Sequence, residues 1–210
     1  MKGLFISFEG PEGSGKSTHC KLLFEALTRN CVETIMVREP GGTKISEEIR
    51  KILKAEYQDE KISNLTELFL FEAARAQLVE QVIIPALEGG KVVLCDRFAD
   101  STVAYQGYGR GLDLNFLFQL NRIATKSLEP DITFLLDIHP IEGFRRVQTR
   151  DSKDRIESEN LDFHIRIRDG YKELAKVFAY RFRILDSSKS EEEVHKMILD
   201  VVEDALRNRR

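Results

Sequence analysis

The stretch that most constrains this 210-residue chain is Gly10-Pro11-Glu12-Gly13-Ser14-Gly15-Lys16-Ser17, which fits G-x-x-x-x-G-K-[ST]. Its flanks supply the context such a loop needs. Leu4-Phe5-Ile6-Ser7-Phe8 is a short apolar, β-prone run that predicts a strand feeding the loop. Thr18 to Thr28 predicts a helix leaving it, with Cys20, Leu23, Phe24 and Leu27 along one face. The glycines let the backbone turn sharply and gather N–H groups around phosphate oxygens. The helix N-terminus adds unpaired donors and a partial positive charge. Lys16 can then reach the β- and γ-phosphates of a bound nucleotide, and the Ser17 hydroxyl can ligate Mg²⁺. Gly10 through Thr18 is therefore the candidate triphosphate site, with Lys16 at the phosphates and Ser17 a metal ligand.

Beyond Thr28 the chain repeats strand and helix in alternation. Thr34-Ile35-Met36-Val37 reads as a second strand, ending at the turn-rich Arg38-Glu39-Pro40-Gly41-Gly42-Thr43. Ser46 is the expected cap of a helix through Ile49, Ile52 and Leu53. Tyr57 to Ser63 reads as a polar loop. Asn64, with Glu67 three residues later, reads as the start of a helix whose apolar stripe holds Leu65, Leu68, Phe69, Ala76, Val79, Val82 and Ile83. Val92-Val93-Leu94-Cys95 and Ile132-Thr133-Phe134-Leu135-Leu136 are apolar runs that suit parallel strands buried on both faces. The aromatic and glycine-rich segment before Gly111 leads into a helix with Leu117, Leu120 and Ile123. A helix from Asn160, a strand from Phe182 to Leu185, and a terminal helix with a Ser190–Glu193 capping box complete the chain.

This pattern predicts an α/β protein of the P-loop NTPase fold: a five-stranded parallel sheet with helices on both faces, in a single domain over 1–210. Ligands of such sheets sit beyond the carboxyl ends of the strands. The P-loop, Arg38-Glu39, Asp96-Arg97 and the segment after Asp137 all fall there. The charge-dense stretch from Arg145 to Glu157 reads as exposed and mobile, which sets a lid at about 141–160. A net charge of -3 argues against broad nucleic-acid or membrane-surface binding. No signal peptide and no bilayer-spanning apolar run is evident, and Cys20, Cys31 and Cys95 lack metal-ligand spacing. A cytoplasmic protein is the expectation.

A P-loop fixes nucleotide binding and leaves the reaction open. The guanine-reading N-K-x-D pattern is absent, which lowers the GTPase reading. Further motifs narrow the choice. These are Phe8-Glu9 leading into the P-loop, Arg38 to Thr43, Leu70-Phe71 with Ala74-Arg75-Ala76-Gln77, Asp96-Arg97-Phe98-Ala99-Asp100-Ser101-Thr102-Val103-Ala104-Tyr105-Gln106-Gly107, and Asp154-Arg155-Ile156-Glu157. In this order and spacing the chain resembles the bacterial thymidylate kinases, which phosphorylate dTMP to dTDP with ATP and Mg²⁺.

The resemblance implies a role for each matching residue, and it makes Gly10 through Thr18 the ATP site with Lys16 catalytic. Arg97 would grip the acceptor's phosphate, a task suited to a bidentate guanidinium, and Glu12 would accept from the deoxyribose 3′-hydroxyl. Phe71 would stack on thymine, with Arg75 donating to its O4; the two are four residues apart and share a helix face. Phe71 is otherwise plain core. Ser101, Thr102 and Gln106 lie in the stretch that meets the acceptor, Tyr105 packs near C2′ of the sugar, and Glu39, Pro40 and Arg50 complete the acceptor side. Arg38 and Arg50 read equally as solvated charges. Asp96 is placed like a carboxylate that holds Mg²⁺ through water, or else it caps its strand or pairs with Arg97. Arg146, Arg150 and Arg155 are the lid candidates for the migrating phosphoryl group, Arg155 doubling as a salt-bridge partner. Ser187-Ser188-Lys189 resembles the loop near adenine, and His19 reads as a helix-surface histidine. The resemblance also implies a homodimer, for which the helix from Asn64 is the candidate surface. Two alternatives stand beside this: another deoxynucleoside or nucleotide kinase of the same fold, and a non-catalytic P-loop regulator.

Overall fold

β1 (Leu4–Glu9) is buried along its whole length, as an apolar run at the centre of a parallel sheet must be. The computed structural model, which describes residues 3–147, 155–156 and 158–209, sets β1 between β3 (Val92–Asp96) and β4 (Ile132–Asp137). β2 (Thr34–Arg38) lies outside β3 and β5 (Phe182–Asp186) outside β4, giving the order β2-β3-β1-β4-β5. All four pairings are parallel, with Phe8 and Arg38 both opposite Asp96. The chain runs outward to β2, returns to β3, then crosses β1 to β4. The order therefore reverses at β1, and a crevice opens above its carboxyl end.

Alternation along β1 divides the core. Leu4, Ile6 and Phe8 pack with Leu23 and Leu27 of α1 (Lys16–Arg29) and with Val194, Ile198 and Val202 of α9 (Glu191–Arg207). Phe5 points the other way, against Leu78, Val79, Ile83 and Phe98. Each of these buried side chains contributes about 1.5–3 kcal/mol relative to exposure. α9 carries the expected capping box at Ser190 and Glu193.

The helices between depart from the sequence reading in instructive ways. α2 (Lys44–Lys54) is capped by Thr43, whose Oγ1 accepts from Ser46 N at 3.0 Å; Ser46 lies inside the helix instead. α3 (Asn64–Leu78) starts at the expected Asn64, and the preceding Ser63 caps it by accepting from Thr66 N at 3.1 Å. Leu65, Phe69 and Ala76 of the predicted stripe are exposed, while Glu67, Glu72 and Arg75 are buried. Polar groups that satisfy one another replaced the apolar face that periodicity assumes. A π-helical turn (Val79–Ile83) joins α3 to α4 (Ile84–Glu88). Beyond β3 the glycine-rich segment is helical: α5 (Ala99–Thr102) runs into a π-helical segment (Val103–Gly109), a widened form frequent at functional sites. α6 (Leu114–Ala124) follows.

α7 (Pro140–Val147) is a helix the charge-dense sequence did not announce. It docks backbone to backbone on the P-loop: a Cβ on Gly13 would run into Gly143, and one on Gly143 into the Glu12 carbonyl. α8 (Leu161–Val177) starts at Asn160, whose side chain accepts from Phe163 N at 2.9 Å. Among the described residues no helix is long and apolar enough to cross a membrane. Cys20 and Cys95 are buried and Cys31 is exposed.

Candidate active site

The P-loop turns on left-handed glycines, Gly13 at φ 72° and Gly15 at φ 87°, conformations that cost other residues a steric penalty. Lys16 curls back over the loop, its Nζ donating to the Gly10 carbonyl at 3.0 Å, the Pro11 carbonyl at 2.7 Å and Ser14 Oγ at 3.2 Å. Burial and the nearby Arg97 guanidinium lower its pKa to about 8. Ser17, the second residue of α1, donates its hydroxyl to Asp96 Oδ2 at the end of β3. That places a hydroxyl and a carboxylate oxygen together beside the loop.

A single cavity above the strand ends is lined by Glu12, Gly13, Gly15, Lys16, Ser17 and Thr18, by Glu39, Pro40 and Arg50, by Phe71 and Arg75, and by Asp96, Arg97, Ser101, Thr102, Tyr105 and Gln106. Gly10 and Pro11 lie buried behind it, their carbonyls turned to Lys16. Ser14 and Arg146 belong to an adjoining hollow that they share with His19, Ser187 and Lys189. There Ser187 Oγ donates to the Ser14 carbonyl at 2.5 Å. Arg150 lies outside the described residues, as do Asp154 and Glu157 of the last motif. Arg146 is half-exposed, 4.0 Å from Glu142.

Arg97 is one of few non-glycine residues with positive φ, at 69°. The turn is held from below by Glu9, fully buried at the end of β1. Its carboxylate accepts from Phe98 N at 2.7 Å, Ser101 Oγ at 2.6 Å and Tyr171 Oη at 2.9 Å. Burial and the neighbouring Asp100 raise its pKa to about 7. So held, Arg97 donates from Nη2 to Glu12 Oε1 at 2.5 Å and from Nη1 to the Gly10 carbonyl at 3.2 Å. The Tyr105 hydroxyl donates to the same Glu12 oxygen at 2.8 Å, and the Arg97 guanidinium lies 5.0 Å from the Tyr105 ring centroid. Burial pulls Glu12 upward, yet Arg97 and Lys16 outweigh it and hold the carboxyl at about 2.

Arg75, only 2% exposed, is surrounded. Nε donates to Glu39 Oε2 at 2.8 Å, Nη1 to Glu72, Thr102 Oγ1 and Asn121 Oδ1, and Nη2 to the Phe98 carbonyl. An acceptor on a bound base must share one of these hydrogens. Burial pushes the Glu39 carboxyl up to about 7 even beside Arg75. Arg50 and Arg38 both donate to the Pro40 carbonyl, at 2.8 and 3.1 Å, and Arg38 also reaches Glu47 at 3.0 Å. Phe71 stands half-buried on the cavity wall.

A thymidylate kinase family model matches residues 8–198. The thymidylate kinase of Thermoanaerobacter sp. (strain X514) is 47% identical over 206 residues, covering 98% of this chain and 100% of that one. The chain belongs to the thymidylate kinase family. The thymidylate kinase of Bacillus licheniformis is 44% identical over 209 residues, 99% of this chain and 98% of the other. A crystal structure of thymidylate kinase from Ehrlichia chaffeensis matches with a TM-score of 0.77 at 34% identity, covering 96% of this chain and 99% of that one.

Within this family member, several residues at the site were given no role by the sequence reading. Glu9, Glu72, Asn121 and Tyr171 build the walls that hold Arg97 and Arg75. Glu72 was in principle legible, since it precedes Arg75 by three on one helix. Tyr171 is distant in sequence and carried no local signal. His19 is corrected outright: it is 4% exposed, not a surface residue, and stacks 6.5 Å from His195 behind the P-loop. Packing of α1 against α9 closes over it. Burial and its neighbour His195 lower its pKa.

Proposed function

We propose that the chain transfers the γ-phosphoryl group of ATP to dTMP, giving dTDP, with Mg²⁺ as the metal ion. The observation that carries this reading is the continuous cavity that runs from Lys16 and Ser17 to Phe71, Arg75 and Gln106. A donor triphosphate on the P-loop and an acceptor monophosphate at Arg97 meet within it.

Phosphoryl transfer asks for in-line positioning and neutralisation of charge more than for covalent chemistry. Lys16 follows the donor's β- and γ-phosphates, leaving the carbonyls of Gly10 and Pro11. Arg97, mounted on its positive-φ turn, grips the acceptor phosphate. Glu12 balances both cations and receives the sugar hydroxyl. Phe71 supplies the stacking face, Arg75 with Thr102 and Gln106 the base edge, and Tyr105 fills the space near C2′. Ser101 acts indirectly, its hydroxyl being given to Glu9. Glu39, Pro40 and Arg50 wall the acceptor side, and Arg146 and Arg150 serve the migrating phosphoryl group. The oxygen pair of Ser17 and Asp96 suits Mg²⁺, a hard cation held through few protein oxygens plus phosphates. Held there, Mg²⁺ would supply charge neutralisation for the phosphates.

We further infer a cytoplasmic homodimer formed through the outward face of α3, where Leu65 and Phe69 are 47% and 48% exposed. A coupled ADP-release assay with Mg²⁺ and ATP across dTMP, dUMP, UMP and thymidine tests the main reading. dTMP should give the highest kcat/KM. Thymidine as the best acceptor, or ATP binding without turnover on any acceptor, would overturn it.

A further inference from the structure

Glu67, 1% exposed on α3, is an anion buried behind Gln106, which lines the acceptor cavity. Four N–H donors converge on it. Gln106 Nε2 reaches Oε1 at 3.0 Å and Arg110 Nε reaches the same oxygen at 3.2 Å. Arg110 Nη2 and Arg155 Nη2 reach Oε2 at 3.2 and 2.5 Å. Burial works to raise the carboxyl, but the Arg110, Gln106 and Arg155 donors prevail and keep it below the usual carboxylate range.

A carboxylate ringed in this way can only accept. It therefore decides which end of the Gln106 amide faces it: the NH₂ turns to Glu67, because the reverse would set two oxygens against each other. Gln106 has little freedom to evade this. It is 2% exposed, its main-chain carbonyl accepts from Leu112 N at 3.0 Å, and the next residue, Gly107, is packed against Leu114 and Leu117. The π-helical segment carries Gln106 to the cavity wall beside Tyr105. The free end of the amide there is Oε1, to which no described residue donates.

We propose that Glu67 is a positioning residue for base specificity: by committing the NH₂ of Gln106 it leaves the cavity a fixed hydrogen-bond acceptor. A pyrimidine with a protonated ring nitrogen, as in thymine and uracil, is taken. One that presents a bare ring nitrogen, as in cytosine, is refused, since two lone pairs would meet without a hydrogen between them. The proposal rests on the reading that the acceptor's base lies against Gln106.

The test measures kcat/KM for dTMP, dUMP and dCMP in the wild type, E67Q, Q106M and the swap E67Q/Q106E. In E67Q the two arginine hydrogens at the Oε2 position retain the amide oxygen, so the new NH₂ takes the Oε1 position, gives up the bond from Arg110 Nε and turns the Gln106 amide around. The dTMP:dCMP ratio should fall at least about tenfold, a modest share of what an unpaired buried polar group costs. The dTMP:dUMP ratio should hold, whereas general damage to the site would lower all three substrates together. The swap returns a carboxylate oxygen to the cavity and should restore the dTMP:dCMP ratio. A ratio within twofold of wild type in E67Q, while Q106M lowers it, overturns the role of Glu67 and keeps Gln106 as base reader. An unchanged ratio in Q106M overturns the reading of Gln106 itself. Where E67Q does not fold, the swap decides: a ratio near wild type supports the proposal, and a fall to the Q106M level overturns it.

Discussion

Arg97 and Glu12 hold each other across the floor of the site, guanidinium nitrogen to carboxylate oxygen at 2.5 Å, with Tyr105 on the same oxygen. The arginine proposed to grip the acceptor's phosphate is thereby aimed by the P-loop itself. Glu12→Gln keeps the shape and removes the charge. The loss of a hydrogen bond to a charged group, about 1.5–3 kcal/mol, predicts a fall of roughly 10- to 100-fold in kcat/KM for dTMP. Steady-state kinetics with dTMP varied at saturating ATP would measure it, and an unchanged value would remove Glu12 from acceptor binding.

Arg75→Ala leaves Glu39 and Glu72 facing each other without a cation. Each already has one buried oxygen without a partner, Glu39 Oε1 and Glu72 Oε2. Breaking a buried ion pair from one side costs about 3–5 kcal/mol. Urea unfolding should show that loss, alongside weakened dTMP binding. A variant as stable as wild type would mean the two carboxylates do not depend on Arg75.

The lowered pKa of Lys16, about 8, couples donor binding to protons. Triphosphate oxygens favour the ammonium form and raise the pKa again. ATP binding at pH 8.5 should therefore take up part of a proton, and at pH 6.5 almost none. Calorimetry in two buffers of different ionisation enthalpy reads this directly. Equal heats in both buffers at pH 8.5 would rule the coupling out.

Glu9, raised to about 7 by burial and Asp100, sets a sign for stability against pH. Its folded pKa lies above the unfolded value of 4.5. Its contribution is then fully present below pH 4.5 and is lost as pH rises through 7. Glu9→Gln should flatten that descent, so the cost of the substitution shrinks from pH 5 to pH 8. Denaturant titrations across that range test it, and a parallel pair of curves would refute it.

Tyr105 bonds Glu12 and is proposed to face the sugar, two roles that substitution can separate. Tyr105→Phe loses only the bond to Glu12 and should keep the preference for deoxyribose over ribose. Tyr105→Ala removes the ring and should narrow it. The ratio of kcat/KM for dTMP and its ribose counterpart distinguishes them; an unchanged ratio in the alanine variant discards the sugar-facing role.

How much of this the sequence disclosed depends on the kind of signal each residue sends. Cys20, Leu23 and Leu27 point to the core because apolar periodicity is local, and the strands followed from uninterrupted apolar runs. The cavity lining from Lys16 to Gln106 was legible as motifs. α3 was misread because its inward face carries Glu67, Glu72 and Arg75, which no hydrophobic count places inside. Their burial is stabilised by partners on other elements, Gln106, Arg110, Thr102 and Asn121, and such pairing appears only after the chain has folded. Glu9 stood in a legible motif, but its pairing with Tyr171, 162 residues away, was hidden for the same reason.

The backbone contact between Gly13 and Gly143 has a bearing on how such a protein can change. Neither position admits so much as a methyl group while the other stays where it is. Arg146, three residues beyond Gly143, consequently shares one mounting with the donor loop. Two positions 130 residues apart in the chain are thus bound into a single heritable unit, and their descendants can vary only by moving a whole helix.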